Sequence, residues 1–204
     1  MSKPKLTYFD GAWSRGEECR LALHVAGVDF EDRRIKREEW LDLKPETPFG
    51  SLPLLEMPGH PVLAQSNAIL VLIGRLHGLH PKDNFEAARH EAIMQYVEDL
   101  RAHMSPTMRM SDPEERKKAR EHLASTVLKA WGANVEKQIG DGPFFGGAAL
   151  QVVDFKLLMI VQWFKSGAID HIPTTVFDAF PKLNRVHDAV KDHAAVRVWR
   201  ARHA

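Results

Sequence analysis

Residues 6–35 read LTYFDGAWSRGEECRLALHVAGVDFEDRRI, and this stretch decides the class of fold. Its first residues, 6–9, predict a short strand, and residues 16–26 predict a helix that Gly27 stops. Residues 30–35 then resume an extended pattern. A strand, a helix and a second strand in this order predict two parallel strands joined by a right-handed crossover. The chain therefore opens with a βαβ unit.

A β-hairpin and a helix follow this unit. Residues 52–57 and 61–64 are two extended runs separated by a Pro-Gly pair, which predicts a hairpin. Residues 67–77 have the spacing of a helix, with Ser66 as its N-cap. The first part of the sequence is therefore predicted to be an α/β domain of the order βαβ-ββα.

The strand signals stop after the run GLHPKDN, residues 78–84, which is rich in turn-forming residues. We predict a domain over residues 1–77, a linker over 78–84 and a second domain over 85–204. The second domain is predicted to be an all-α helical bundle because its apolar residues recur at helical spacing. Its helices are expected over residues 85–110, 113–139, 152–166, 181–192 and 194–202.

Charge balance and apolar runs exclude several classes of protein. The chain has 28 Lys and Arg against 27 Asp and Glu, so we expect no nucleic acid or anionic membrane as a partner. The most continuous apolar run, 68–73, is far shorter than the roughly 20 residues of a membrane span. We expect no secretory signal, because residues 1–10 lack an apolar stretch, and the single cysteine, Cys19, suits a reducing cytoplasm. Eleven histidines without metal-ligand spacing predict no metal site.

Two short segments suggest a site for a small peptide. The proline in Ser51-Leu52-Pro53 lacks a backbone donor, which suits a sheet edge or a cis bend that leaves the backbone groups of Leu52 free for an extended peptide. Gln65 and Ser66 stand where a strand is followed by a helix. Backbone amides and the helix dipole favour a carboxylate at such a junction.

Taken in order, four segments resemble the cytosolic glutathione transferases of the tyrosine type, and most closely the sigma class. The segments are LTYFDGAWSRGEECRLAL (6–23), VDFEDRRI (28–35), EEWLDLKPETPFGSLPLLEM (38–57) and LAQSNAIL (63–70). The resemblance implies a thioredoxin-like first domain that binds glutathione as a co-substrate, with no permanently bound cofactor. It also implies a helical second domain that completes a pocket for a hydrophobic electrophile.

The resemblance assigns catalysis to Tyr8, which matches the family's tyrosine at the end of the first strand. A free thiol has a pKa of roughly 8.5, so it is mostly protonated at neutral pH, and a hydroxyl that donates to the sulfur favours the thiolate. Arg15 is the candidate cation beside that sulfur. Ser14, in a loop one residue longer than the family's usual one, offers a second hydroxyl.

The remaining site residues are also implied by the resemblance. Glutathione contacts are assigned to Tyr8, Trp40, Lys44, Ser51, Leu52, Pro53, Gln65, Ser66 and Asp99. Lys44 would pair with the glycyl carboxylate. Asp99 matches an acidic residue that reaches across a dimer interface, which implies a homodimer. The electrophile pocket is assigned to Trp13, Met104 and Met108.

Several alternatives stay open on the sequence. Tyr8 is also consistent with a packed strand-end aromatic, Ser66 with an ordinary N-cap, and methionines four residues apart with simple core. Glutathione could be conjugated and consumed, used in isomerisation as by prostaglandin synthases, or used to reduce peroxides. A non-catalytic binding or structural member, such as the lens crystallins, is the third possibility. The segment LQVVDF resembles the family's helix-capping segment, with Asp154 as its better-matched residue and a role in folding.

Overall fold

The structure is a computed structural model that describes residues 3–203. Met1, Ser2 and Ala204, which the predicted domain ranges include, lie outside the described residues. Four strands form one sheet. They are β1 (Lys5–Phe9), β2 (Glu31–Ile35), β3 (Leu54–Glu56) and β4 (Leu63–Ala64).

Helices make up most of the rest of the described chain. They are α1 (Ser14–Val25), α2 (Arg37–Leu43), α3 (Ser66–His77), α4 (Asn84–Met104), α5 (Pro113–Ser125), α6 (Val127–Gln138), α7 (Val152–Lys165), α8 (Pro181–Asp192) and α9 (Ala194–Arg202). Two short 3₁₀ helices, Lys44–Glu46 and Ser105–Met108, follow α2 and α4. Within residues 3–203 no helix is both long enough and apolar enough to span a membrane.

The sheet has the strand order β2-β1-β3-β4. Strands β1 and β2 are parallel, as the sequence predicts for a βαβ unit, and β3 runs antiparallel to both β1 and β4. The βαβ-ββα order of the first domain is confirmed, and so is the helical second part. The most buried helix of that second part is α7, in which every residue of 152–161 is buried.

Two predicted helices in the second part end earlier than expected. The stretch predicted as one helix over 113–139 is two helices that break at Thr126, whose φ is −118° and ψ −78°. The Thr126 hydroxyl donates to the carbonyl of His122 at 2.7 Å, a local bond that competes with helix continuation. The helix predicted over 85–110 ends at Met104, because Pro106 cannot donate a backbone hydrogen bond and the chain tightens into a 3₁₀ helix.

The structure divides into two compact units. The first runs up to Ala87 and takes in the chain again from Asp192, and the second is Ala88–Lys191. The sequence placed the last helix in the second domain, whereas α9 packs on α1. The indole Nε1 of Trp199 donates to Glu17 Oε1 at 2.7 Å, and the Trp199 ring stacks on Phe30. This buried contact explains why the C-terminal helix belongs to the first unit.

Candidate functional site

The register of the sheet brings three separate segments to one edge. Thr7 of β1 pairs with Leu54, the first residue of β3, and Leu54 pairs with Ala64, the last residue of β4. The residue after Thr7 is Tyr8, and the residue after Ala64 is Gln65. The end of β1, the beginning of β3 and the end of β4 therefore lie side by side at this edge.

The segment before β3 carries the bend that the sequence suggests. The Leu52-Pro53 peptide bond is cis, and Pro53 is buried. Ser51 and Leu52 remain partly exposed. Leu52 is thus a partly exposed residue at the same sheet edge as the end of β1.

Helix α3 begins one residue earlier than the sequence predicts, and Ser66 is not its cap. Gln65 holds the N-cap position with φ 74° and ψ 111°, and its side chain makes no capping bond within residues 3–203. Ser66 is the first helical residue and is only 4% exposed. The Ile69 amide donates to the Gln65 carbonyl at 3.0 Å and closes the first turn. Positive φ at a residue other than glycine is a conformation often found at binding sites.

The Tyr8 side chain is held in a narrow space. It is only 6% exposed, and its ring lies so close to Gly16 that a Cβ there would fall 2.0 Å from Tyr8 Cδ1. Phe9 meets the Tyr8 ring edge-on at 5.6 Å between centroids. The guanidinium carbon of Arg20 lies 5.9 Å from the Tyr8 ring centroid, within cation–π range.

The loop between β1 and α1 has an irregular backbone. Gly11 has φ 141°, and the Trp13 ring covers it, because a Cβ on Gly11 would fall 1.7 Å from Trp13 Cζ3. Ser14, the first residue of α1, has φ 59°, and Arg15 follows it in the first turn. Trp13 is 55% exposed. Ser14 and Arg15 are therefore the first two residues of α1, and they directly follow a strained loop that begins at the end of β1.

Trp40 lies in α2, and Lys44 follows one helical turn later as the residue that caps the helix, in agreement with their spacing. The Lys44 amide donates to the Trp40 carbonyl at the end of the helix. The Trp40 ring meets Phe9 edge-on at 6.1 Å, so the helix is fixed close to the residue that follows Tyr8. The Lys44 side chain is exposed and passes near Gly50, where a Cβ would be 3.4 Å from Lys44 Cε.

A charged cluster under the turn after β1 is absent from the sequence predictions. Arg20, which is 0% exposed, donates from Nη2 to the Phe9 carbonyl at 3.1 Å and from Nη1 to the Gly11 carbonyl at 2.7 Å. Its Nε donates to Asp32 Oδ1 at 2.8 Å. Charged residues are normally predicted to be exposed, so the sequence does not predict that Arg20 is buried. The available signal is the run of charges at 17, 18 and 20. Charges at neighbouring positions of one helix point in different directions, so they cannot all lie on a narrow exposed face, and this run indicates that at least one of them is buried.

Arg34 extends this cluster along β2. Its Nε donates to Asp32 Oδ2 at 2.8 Å, and its Nη1 donates to Asp10 Oδ1 at 3.2 Å. Burial by itself lowers the pKa of Arg34, but the hydrogen bonds to Asp32 and Asp10 outweigh burial and raise that pKa. Asp32 thus bridges two arginines, one on α1 and one on β2.

The predicted residues of the second unit differ in exposure. Asp99 is exposed, and its Oδ1 lies 3.5 Å from the Gln95 amide nitrogen. Met104 is fully buried, while Met108 is 51% exposed. Arg120 donates from Nη2 to Met108 Sδ at 3.2 Å. Among these three predicted residues, Asp99 and Met108 offer surface to a ligand.

This unit also contains an open cavity of about 1030 Å³ between α5, α6 and residues 171–180. Its wall includes Ala124, Ile172 and Val176, with Lys129 and His171 among its polar members. Among residues 3–203, those predicted for the site do not line it. The cavity is therefore separate from the predicted electrophile pocket.

Asp154 lies in the first turn of α7, where the sequence places a capping carboxylate. Its Oδ2 accepts from the Gln151 amide and its Oδ1 from the Phe145 amide, both at 2.8 Å. Burial raises the pKa of Asp154 to about 7, although both amide hydrogen bonds act in the opposite direction. The carboxyl group joins the helix start to the preceding loop, a structural role.

The fold and this sheet edge define a thioredoxin-like α/β unit joined to a helical unit. Residues 4–75 match the family model of the glutathione S-transferase N-terminal domain, and residues 98–203 match that of the glutathione S-transferase C-terminal domain. The chain belongs to the glutathione S-transferase family of enzymes. The family resemblance of the sequence is confirmed.

Individual relatives agree with this assignment. Glutathione S-transferase 1 of Ascaris suum is 50% identical over 110 residues, which are 54% of this chain and 52% of that protein. Probable glutathione S-transferase 7 of Caenorhabditis elegans is 33% identical over 96% of this chain and 94% of its own length. S-crystallin 2 of Enteroctopus dofleini is 27% identical, covering 92% of this chain and 91% of its own length.

A solved structure supports the same fold along the whole chain. The prostaglandin synthase D of Nilaparvata lugens superimposes with a TM-score of 0.87 at 27% identity, and the match covers 99% of this chain and 98% of that one. A crystallin and a prostaglandin synthase among the similar proteins agree with the sigma-class resemblance.

Proposed function

We propose that this protein conjugates glutathione to small hydrophobic electrophiles and that the Tyr8 hydroxyl stabilises the attacking thiolate, a reaction suited to detoxification. The observation that best supports this proposal is the meeting of the Tyr8 strand end, the cis Leu52-Pro53 bend and the start of α3 at one sheet edge. A tripeptide laid along this edge would have its central residue near the end of β1.

The chemical task of Tyr8 is to favour the ionised sulfur. Lowering a thiol pKa by about two units requires about 2.7 kcal/mol of preferential stabilisation of the thiolate. A hydroxyl that donates to the charged sulfur, with the Arg15 cation nearby, is of the right strength. Because the Tyr8 ring is fixed against Gly16, its hydroxyl would meet the sulfur with little loss of side-chain freedom.

The peptide would be held mainly by backbone groups. Leu52 would exchange hydrogen bonds with the cysteinyl residue, beside Ser51 and the buried ring of Pro53. The amides at Gln65 and Ser66, at the positive end of the α3 dipole, would receive the γ-glutamyl carboxylate.

The other end of glutathione would lie near α2. The exposed ammonium of Lys44 would pair with the glycyl carboxylate, and Trp40 would cover the glycyl residue. The proposed contacts for the electrophile are Trp13 and Met108, which both expose apolar surface. Met104 is fully buried, so it would contribute packing and no direct contact with the electrophile.

We also propose a cytoplasmic homodimer. The lone cysteine suits a reducing compartment. Asp99 is an exposed carboxylate, as it must be to reach the γ-glutamyl amine bound to a second copy of the chain.

A second candidate activity, glutathione-dependent isomerisation, is favoured by the similarity to one solved structure. The solved structure described above is named a prostaglandin synthase. An isomerase would use the same thiolate and release glutathione unchanged, whereas a transferase consumes it. Measuring free thiol against product formed separates the two activities, since only conjugation lowers the thiol concentration in step with product.

The Tyr8→Phe variant tests the role of the hydroxyl. We expect it to remain bound to immobilised glutathione, to raise the pKa of the bound thiol by about two units and to lower turnover at pH 7 on the order of tenfold or more. The pKa is read from the ultraviolet absorbance of the thiolate, and turnover from conjugation of a chlorinated dinitrobenzene. Ser14→Ala is the matched control, because it removes the other hydroxyl near Arg15. If Ser14→Ala loses turnover and Tyr8→Phe keeps it, the assignment to Tyr8 is wrong.

A further inference from the structure

We propose that Arg20, Asp32 and Arg34 form a clamp that positions Tyr8 for catalysis by fixing the turn that follows it. The turn consists of Phe9, Asp10 and Gly11, and we use the name clamp for the three charged residues only. This inference rests on the proposed role of Tyr8. It adds positioning residues for the reaction on α1 and β2, none of which is itself assigned to glutathione.

Every residue of the turn is held by the clamp. The Phe9 and Gly11 carbonyls accept from Arg20 at 3.1 and 2.7 Å. The Asp10 carboxylate accepts from Arg34 at 3.2 Å. The Asp10 amide also donates to the Ile35 carbonyl at 3.1 Å. Three consecutive residues therefore have fixed partners directly after Tyr8.

Asp32 joins the two arginines into one unit. Its Oδ1 accepts from Arg20 Nε and its Oδ2 from Arg34 Nε, each at 2.8 Å. Glu17 lies beside Arg20, with 3.5 Å between Glu17 Oε2 and Arg20 Nη1, and it accepts from the Trp199 indole. The buried cation thus faces carboxylates from its own helix and from β2, which offsets the cost of burying its charge.

The turn matters because it connects two parts of the proposed catalytic group. Tyr8 lies immediately before it, and the loop immediately after it leads to Ser14 and Arg15. The Arg20 guanidinium also lies under the Tyr8 ring, 5.9 Å from its centroid. A shift of the turn would therefore move the Tyr8 hydroxyl and the Arg15 side chain relative to the sulfur. Displacements of about 1 Å in a catalytic group can cost up to about a hundredfold in rate.

The geometry requires arginine in particular. Arg20 uses three different nitrogens, Nε, Nη1 and Nη2, toward one carboxylate and two carbonyls that lie in different directions. A lysine has the same charge but a single nitrogen on a flexible stem, so it cannot reach all three acceptors in fixed geometry. Arg20→Lys therefore removes the positioning and keeps the charge.

The test uses the full-length protein with glutathione and the chlorinated dinitrobenzene. We expect Arg20→Lys to lower kcat about tenfold or more, to raise the pKa of the bound thiol, and to change the KM for glutathione less than threefold. Arg33→Lys is the matched control, since Arg33 lies on β2 between Asp32 and Arg34 but pairs with Glu39 outside the clamp. The control should keep the parent kcat and thiol pKa.

Combination with Tyr8→Phe separates this inference from the proposed function. If Arg20 acts through Tyr8, adding Arg20→Lys to Tyr8→Phe should lower kcat by less than about twofold more. Full additivity of the two effects would contradict the clamp. A normal kcat and thiol pKa in Arg20→Lys, with a low kcat in Tyr8→Phe, would contradict the clamp alone. A normal kcat in Tyr8→Phe would contradict the proposed function itself.

A second variant keeps the test decisive if Arg20→Lys does not fold. The Arg34 side chain is 23% exposed, against 0% for Arg20, so Arg34→Lys should be tolerated. It loosens the Asp10 and Asp32 contacts while Arg20 stays in place. We expect a smaller fall in kcat of about threefold, with the thiol pKa raised in the same direction. No change in either quantity relative to Arg33→Lys would overturn the proposal.

Discussion

Replacing Glu98 by alanine is expected to lower the free energy of unfolding by about 3 to 5 kcal/mol. Glu98 Oε1, on α4, accepts from both Lys156 Nζ and Arg101 Nη1. Lys156 lies in the buried core of α7 and its side chain is 0% exposed. The alanine variant takes the Glu98 carboxylate away from this buried ammonium, and removing one partner of a buried ion pair is strongly destabilising. Urea unfolding followed by circular dichroism measures the change.

Two controls make the Glu98 prediction sharp. Asp99→Ala removes the neighbouring carboxylate, which is exposed, and should change stability by less than about 0.5 kcal/mol. Adding Lys156→Met to Glu98→Ala removes the buried ammonium as well, and should recover most of the lost stability, because apolar replacements of buried ion pairs are often neutral. A double variant no more stable than Glu98→Ala would show that the loss comes from packing and not from the buried charge.

The order of strands and helices follows from local sequence signals. The strand at Tyr8 and the helix that ends before Gly27 are short-range patterns of apolar residues and a helix stop, and both form in the structure. Parallel pairing of β1 and β2 then follows from crossover handedness. The fold class was predictable because each of these signals depends on few residues and no distant contact.

The break at Thr126 was not predictable in the same way. Residues on both sides of Thr126 have helical spacing, so periodicity alone continues the helix through residue 139. The break depends on a hydroxyl that bonds the carbonyl of His122, and it coincides with the irregular backbone angles of Thr126. One residue can thus divide a helix while the pattern of apolar residues remains intact.

Some features of the candidate site can be predicted from local sequence signals, and others cannot. The cis bend at Pro53 follows from the chemistry of proline, and the place of Gln65 and Ser66 follows from a strand that meets a helix. The positive φ of Gln65 has no signal in sequence, because an unfavourable backbone angle is imposed by the surrounding fold.

Buried charges are the main residues that sequence reasoning misses. Arg20 and Lys156 are each 0% exposed, although Lys and Arg are almost never fully buried unless paired. Their partners, Asp32 and Glu98, are 12 and 58 residues away in sequence. Since no local pattern records such a distant partner, the sequence does not identify which charged residues of α1 and α7 are buried.

Replacing Asp154 by alanine is expected to cost on the order of 3 kcal/mol at pH 5, because the buried amide of Phe145 and the partly buried amide of Gln151 both lose their acceptor. Asp154→Asn should cost less, since the amide oxygen can still accept one of these bonds. Asp112→Ala is the matched control. Asp112 accepts from the Glu114 and Glu115 amides at 2.8 and 2.9 Å, but at an exposed helix start where water can replace it, so its cost should be about 1 kcal/mol. Equal costs for Asp154→Ala and Asp112→Ala would show that burial is not what makes Asp154 important.

The cost of Asp154→Ala should also depend on pH. Burial raises the pKa of Asp154 from 3.8 to about 7, so the folded protein holds this proton more tightly than the unfolded chain does. The stabilisation that comes from the raised pKa is complete below about pH 4 and is lost as the pH rises through about 7. The alanine variant has no such proton to lose. The difference in unfolding free energy between parent and Asp154→Ala should therefore shrink steadily between about pH 4 and about pH 7, and a difference that grows over this window would mean that the two amide hydrogen bonds outweigh burial and hold the carboxylate ionised.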